Sequence, residues 1–572
     1  MKNLRHLFTA LLLLCCIATK AQDFEVDNIS YKITSAENKT VAVTYSYKHS
    51  GDIVIPETVT YSDVTYSVTG IDTKAFYDNW NVTSVSIPAS VKYIGKEAFW
   101  DCRNLKHVNI PNGVTKIDDG TFSHCEYLNN VTIPNSVTYI GNSAFYGCYV
   151  NMTDITIPNS VTYIGSNAFY DCTNLTDIKI SDNITYIGTA AFIGTGWMKN
   201  QPEGDVYIGK WLLHIRTKNS NRVEGDIVIK DGTVGLAGNL LAKQEALTGV
   251  TLPNSLKYIG DEAFYNCPEL TNLVLGDSII SIGKSAFREC SKLTSEINLP
   301  NSTSIGDYAF YFCKGVTRVT LGDKLTTIGA SAFQACTGLT SINIPNSVTS
   351  IRASAFDTCR GLTEVHITDL TAWCNISFVN GYSNPLRFAK HLYLNGIEVC
   401  ELVIPDGITA IKQYSFNDCN GLKSIIIPSS VTNIEMYAFN GCKEITSIYL
   451  KCTTPPTITN NYVFINPIYS SATLYVPQGT LSAYQNANIW KSFVNTQEYD
   501  ATGIDDIKAS NIAIEVTANG MALLNAEGKT ITVYTPNGIC VADIDNYRGE
   551  EITLEKGIYI VRVGNNTIKV II

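Results

Sequence analysis

The chain has 572 residues, 45% of them apolar and 16% charged, with a formal net charge of −10 and an isoelectric point near 5.3. That length holds several ordinary domains. The acidic balance, without any cluster of lysine and arginine, excludes a nucleic-acid or anionic-membrane role built on a basic face.

Residues 1–21 have the three parts of a secretory signal: Lys2, Arg5 and His6, an apolar run over 7–17, and small residues around a cleavage point after Ala21. The run is too short to cross a bilayer as a helix, and no other stretch could do so. A lipoprotein signal on Cys15 or Cys16 is the alternative reading. Residues 22–70 alternate apolar and polar side chains. They are expected to form an N-terminal β cap over backbone groups that the first repeat would leave unpaired.

Repeats then fill residues 71–450. The stretch from Ile133 reads IPNSVTYIGNSAFYGC and, after a short bridge, IPNSVTYIGSNAFYDC. A phenylalanine column shows the register: Phe76, Phe99, Phe122, Phe145, Phe169, Phe192, Leu241 in its place, Phe264, Phe287, Phe310, Phe333, Phe356, Phe416 and Phe439, with Phe464 as a degenerate further copy. Unbroken steps are 23 or 24 residues. One copy has about six apolar anchors, too little burial to offset the ordering of so many residues. Stacked copies share backbone hydrogen bonds and bury both flanks, so the copies are expected to pile into one elongated body.

Within a copy, the apolar-x-apolar segment before proline predicts a strand. Asparagine and serine after proline predict a turn. Val-x-x-Ile-Gly follows as a second extended piece, and Ala-Phe-x-x-Cys is expected to close the coil as a helical or 3-10 turn. Two inserts, residues 195–224 and 368–400, are expected to project as loops on one face, the first as a β-hairpin. Residues 451–499 read as a C-terminal cap, with Thr480 N-capping a helix through Trp490. Residues 500–508 read as a polar linker, and 509–572 as a small β-sandwich with turns at Gly528 and Asn537-Gly538.

Eleven of the 17 cysteines stand three residues after the column phenylalanine. One column points one way, which favours a ladder of free thiols packed as small apolar groups. Disulfides between neighbouring copies are the other reading. No C-x2-C pair exists and the seven histidines are scattered, so neither a metal centre nor a cofactor site is expected. Catalytic signatures are absent as well. His124 beside Cys125 would point away from it, and Asp118-Asp119 reads as a solvated loop. The chain is read as a non-enzyme.

Candidate binding positions are the outward strand residues, among them Asn109, Thr132 and Thr156, for which simple solubility is the competing reading. The tyrosines Tyr93, Tyr139, Tyr163, Tyr186 and Tyr258 offer contact area at low entropic cost, or pack on one another. Trp197, Trp211 and Trp373 in the inserts are candidate anchors, or belong to a local core.

The repeat x-L-T-x-I-x-I-P-x-x-V-x-x-I-G-x-x-A-F-x-x-C resembles the BspA-like leucine-rich repeat over roughly residues 50–480. The tail, with VYTPNGICVA and LEKGIYIVRVGNNTIKVII, is similar to C-terminal sorting domains of type IX secretion. The resemblance implies a right-handed solenoid with a parallel sheet. It also implies secretion or display on the outer surface of a Gram-negative bacterium, and adhesin-like binding of host extracellular or bacterial surface proteins, by a monomer. Glycan capture by the tyrosine and tryptophan rows is the alternative.

Overall fold

A computed structural model describes residues 23–217, 222–458, 460 and 462–499, and in the C-terminal segment 513–517, 520–524, 526, 528–535, 538–555, 557–563 and 566–571. The signal reading, the linker reading and Asn537 lie outside these residues. Two compact units divide the chain. One comprises described residues up to Val223 with 230–242 and 255–264; the other comprises 224–229, 243–254 and everything from Tyr265 onward.

In both units the chain coils as a β-solenoid. In the first unit the short second strands form a parallel ladder, Lys116–Ile117 beside Tyr139–Ile140, Tyr163–Ile164 and Tyr186–Ile187, in strict register. The strands before proline form another, as with Asp154–Thr156 beside Asp177–Lys179. The second unit repeats the pattern. Ile297–Leu299, Arg318–Leu321, Ser341–Asn343 and Glu364–Ile367 pair in sequence, and so do Ser281–Ile282, Ser304–Ile305, Thr327–Ile328 and Ser350–Ile351. The register is one repeat, so each side chain meets its own counterpart.

The expected helical turn at Ala-Phe-x-x-Cys is not helical. Each such turn holds two left-handed residues, Glu97 and Asp101 (φ 55° and 57°), or Asn167 and Asp171 (57° and 56°). Alternating hand turns every second N–H toward the next coil. Phe76 donates to the Ala98 carbonyl at 2.7 Å, Phe99 to Thr121 at 2.9 Å and Phe145 to Ala168 at 2.8 Å. A helix would have satisfied those groups internally; the neighbouring coil offers carbonyls instead, and a third inter-coil ladder results. The glycine after Ile has a different cause: a Cβ on Gly165 would lie 2.5 Å from the Asn142 nitrogen of the coil before.

The column phenylalanines form the core. Their rings stack at 4.9 Å (Phe76–Phe99), 5.4 Å (Phe99–Phe122), 5.2 Å (Phe145–Phe169) and 5.4 Å (Phe169–Phe192) in the first unit. In the second, Phe416–Phe439 and Phe439–Phe464 lie 5.5 and 5.6 Å apart. Column cysteines such as Cys102, Cys125, Cys148, Cys172, Cys313 and Cys336 are free thiols. Beyond filling space, thiols of the column are donors: Cys125 to the Phe99 carbonyl at 3.1 Å, Cys148 to Phe122 at 3.2 Å, Cys336 to Phe310 at 3.1 Å. Burial pushes the Cys102 and Cys172 thiols up to about 12, so they stay protonated and unreactive.

In each unit a column phenylalanine also meets other aromatic rings. His49 is fully buried with its ring 4.6 Å from Phe76, where a preceding phenylalanine would sit, and its Nε2 accepts from the Ser30 N–H at 3.2 Å. In the second unit Trp490 and Phe493 pack edge-on to Phe464. The helix there is shorter than expected, Leu481–Asn486, and Thr480 does not cap it through its side chain. Glu498 does so, accepting from the Gly479 and Leu481 N–H groups at 2.9 and 3.0 Å, because the strand Asn495–Tyr499 places its carboxylate there.

The inserts also differ from expectation. Gly204–Ile208 and Trp211–Arg216 do form an antiparallel hairpin, but Trp211-Leu212 then pairs in parallel with Gly235-Leu236. In the second insert Ser377–Phe378 pairs with Ser350–Ile351, and Leu392–Leu394 with Glu364–Ile367. Both inserts thus supply strands to the ladders, which would otherwise be interrupted. In the tail, Ala513–Val516, Gly520–Leu524 and Ile552–Thr553 make one antiparallel sheet, and Cys540–Ile544, Ile531–Tyr534, Ile558–Val563 and Asn566–Ile571 another. Met521, Leu523, Val533, Tyr547 and Val561 form their shared core.

Two outcomes are expected. Phe145→Ala removes a ring stacked on both sides and should cost about 3–5 kcal/mol in urea unfolding followed by circular dichroism; a change below about 1 kcal/mol would show that the stack is not the core. Burial lowers the His49 pKa, opposed by the Ala75 carbonyl and Glu25. The unfolded segment therefore takes up its proton first. The contribution of His49 is complete above about pH 6.5 and falls as pH drops through the lower folded-state value. His49→Phe should flatten that fall in thermal melts taken between about pH 7.5 and 5.

Candidate functional site

Outward side chains are positioned by the ladders, since alternate strand residues face opposite ways. Thr132 and Thr156 are exposed, and Thr156 lies directly beside Lys179. Asn109 is also exposed, but its amide is in use: it accepts from the Ile87 N–H and donates to the Ile87 carbonyl, both at 2.7 Å. It extends the ladder with a side chain where the backbone pairing stops.

The tyrosines gather into one row. Tyr139, Tyr163 and Tyr186 stack at 4.5 Å with ring planes within 12°. The Tyr186 hydroxyl donates to Asp261 at 2.7 Å, and Tyr258 stacks on Trp211 at 6.0 Å. Tyr93 is 41% exposed, and its hydroxyl donates to Asp72 at 3.2 Å. Burial and nearby carboxylates push the Tyr93 and Tyr139 phenols up to about 12, so both remain neutral donors. Stacking within the row occupies the ring faces of Tyr139, Tyr163 and Tyr186 and leaves mainly ring edges for contact. Sugars stack on faces, so the row suits hydrogen bonding better than glycan capture.

The tryptophans of the inserts divide. Trp211 is 3% exposed and Trp373 1%, and their indole N–H groups donate to the Ile184 and Ser415 carbonyls at 3.3 and 3.0 Å. Neither can anchor a partner: Trp211 takes the tyrosine position of its coil and covers Gly235, and Trp373 is buried against Phe378. Trp197 is partly buried in the helix Gly196–Lys199, which Thr195 caps through Met198 N–H at 3.0 Å, and it packs on the first unit's core.

A second aromatic row escaped the sequence reading. Tyr77 stacks on Trp100 at 4.8 Å, His124 meets Trp100 and Tyr146 edge-on, and Tyr146 stacks on Tyr170 at 5.2 Å. Its signal was the residue just after the column phenylalanine, aromatic at Tyr77, Trp100, Tyr146 and Tyr170. His124 belongs to this row while Cys125 bonds inward, so the two form no dyad. Among the described residues no group of three histidines, cysteines or carboxylates could hold a metal ion. Nor is any described helix long and apolar enough to cross a membrane.

Tyr139→Ala with Tyr163→Ala is expected to lower stability by about 1–3 kcal/mol through lost stacking and area, and to leave glycan-array signals unchanged. Loss of a wild-type glycan signal in that variant would restore the capture reading.

A family model described as a BspA type leucine rich repeat region matches residues 69–199, 236–363, 294–396 and 387–487. Among solved structures, a leucine-rich repeat protein from Bacteroides ovatus is 24% identical, with 84% of this chain and 100% of that chain covered and a TM-score of 0.32. A leucine rich cell surface protein from Faecalibacterium prausnitzii is 27% identical over 62% and 97%, with a TM-score of 0.24. The pneumococcal vaccine antigen PcpA is 16% identical over 84% and 98%, with a TM-score of 0.24. No curated protein matches the chain. With more than half of its residues matched by the repeat model, and the matching stretches coiled as the ladders described above, the chain belongs to the BspA type leucine-rich repeat family.

Proposed function

We propose that the protein is a secreted or cell-surface interaction protein, adhesin-like, that binds host extracellular or bacterial surface proteins as a monomer and without catalysis. The carrying observation is the braced surface. Outward side chains such as Thr132, Thr156 and Tyr163 stand on coils hydrogen-bonded to their neighbours, and the threonine hydroxyls of Thr138, Thr162 and Thr185 donate to the preceding coil's carbonyl. A surface already ordered loses little entropy on association. The signal-like residues 1–21 and the sorting-domain resemblance of the tail support the reading of a chain exported to the outside of a Gram-negative cell, with cleavage near Ala21.

Saturable binding to at least one immobilised matrix protein or mucin is expected in a plate assay, together with digestion by protease added to intact cells. No retention on any host or bacterial surface, or full protection from the protease, would overturn the proposal.

A further inference from the structure

Of the eight exposed aromatic side chains among the described residues, six lie between Tyr45 and Tyr149. Three of these share one edge of the first unit, the segment that follows the cysteine column. Trp80 is 49% exposed, Tyr127 40% and Tyr149 37%. The edge is continuous. The Arg103 guanidinium lies 4.5 Å over the Trp80 ring, and its Nε donates to Asp101 at 2.9 Å. Glu126 lies 3.7 Å from the same guanidinium, and its carboxylate is near enough to the Tyr149 phenol to raise that pKa.

The backbone under these rings is clamped. Asn104 Nδ2 donates to the Trp80 carbonyl and Asn151 Nδ2 to the Tyr127 carbonyl, both at 2.8 Å. The main chain also links the coils, Tyr127 N–H to Arg103 and Val150 N–H to Glu126. Solvent-exposed tryptophan, tyrosine and arginine on a rigid base are the residues that dominate protein–protein binding energies. Inward packing does not explain them, since the core beneath is already closed by Phe76, Phe99, Phe122 and Phe145.

The charge on the edge selects the partner. Asp101 and Glu126 are two carboxylates against one cation, Arg103. The fold itself shows what such a surface holds: a guanidinium lying between an indole face and carboxylates. We infer that the edge formed by Trp80, Arg103, Glu126, Tyr127 and Tyr149 is a docking surface for a protein segment that presents lysine or arginine between apolar side chains. The partner's cation would complete the charge at Glu126 beside the two tyrosine rings. This rests on the reading of the chain as an interaction protein and narrows it to one edge and one chemistry.

The test uses the full chain on a biosensor with two synthetic peptides of equal length, one rich in lysine and leucine, the other with every lysine replaced by glutamine. Binding of the lysine peptide is expected, weakened by added salt, with little binding of the glutamine peptide. Trp80→Ala with Tyr149→Ala should weaken the lysine peptide roughly tenfold or more, and Glu126→Gln should reduce the preference for lysine. Circular dichroism melts of these surface variants verify that they fold. No binding by the wild type, equal binding of both peptides, or undiminished binding by the folded double variant would each overturn the docking edge. Wild-type adhesion to matrix proteins alongside any of those results refutes the edge and leaves the broader reading standing. Adhesion to nothing, with the lysine peptide still bound, refutes the broader reading instead.

Discussion

Every feature of this protein depends on backbone groups being satisfied by the next coil and not within their own. A single coil has two strands of two to six residues and a turn, with almost no internal ladder. Its N–H and C=O groups point along the stacking direction, and only another coil in register can meet them. That constraint sets the period, because a change in coil length would shift Tyr139 off Tyr163 and Phe145 off Phe169 together. It also explains the two left-handed residues in each closing turn, at least one of which is Asp, Asn, Ser or Glu in most coils. Such conformations cost free energy at non-glycine residues, and the third ladder offsets that cost.

Side chains work toward the same end. The thiols of Cys125 and Cys148 and the serine hydroxyls of Ser136 and Ser347 all donate to carbonyls of the preceding coil. Asn109 and Asn104 reach to backbone groups that the main chain leaves open. Polar residues of the repeat are thus largely structural. This narrows the search for function to positions where a large aromatic side chain stays exposed, and the edge at Trp80, Tyr127 and Tyr149 is such a place.

The inserts show how the ladder tolerates interruption. Trp211 and Trp373 are buried where the inserts rejoin the coils, each with its indole N–H bonded to a carbonyl. A tryptophan in a long insert reads, from sequence, equally well as a displayed anchor or as a plug. The difference lies in whether the flanking residues rejoin the strand register, and here they do, at Leu212 with Leu236 and at Phe378 with Ile351. His49 has the same character at the first coil: a lone histidine in a strand-rich segment, whose place against Phe76 is set by a contact 27 residues away in sequence.

The periodic column Phe76, Phe99, Phe122, Phe145 was enough to establish a solenoid, because identical units too small to fold alone have only one another to pack against. The free thiol column followed from the same repetition. Tertiary structure decided the rest: that the closing turn is a ladder and not a helix, that the tyrosine row turns its ring faces inward on itself, and that two of three candidate tryptophans are core. The physical reason is common to these cases. Periodicity reports which residues occupy equivalent places, whereas hydrogen-bond direction and ring orientation depend on what the neighbouring coil offers, and that is settled only when the coils are stacked.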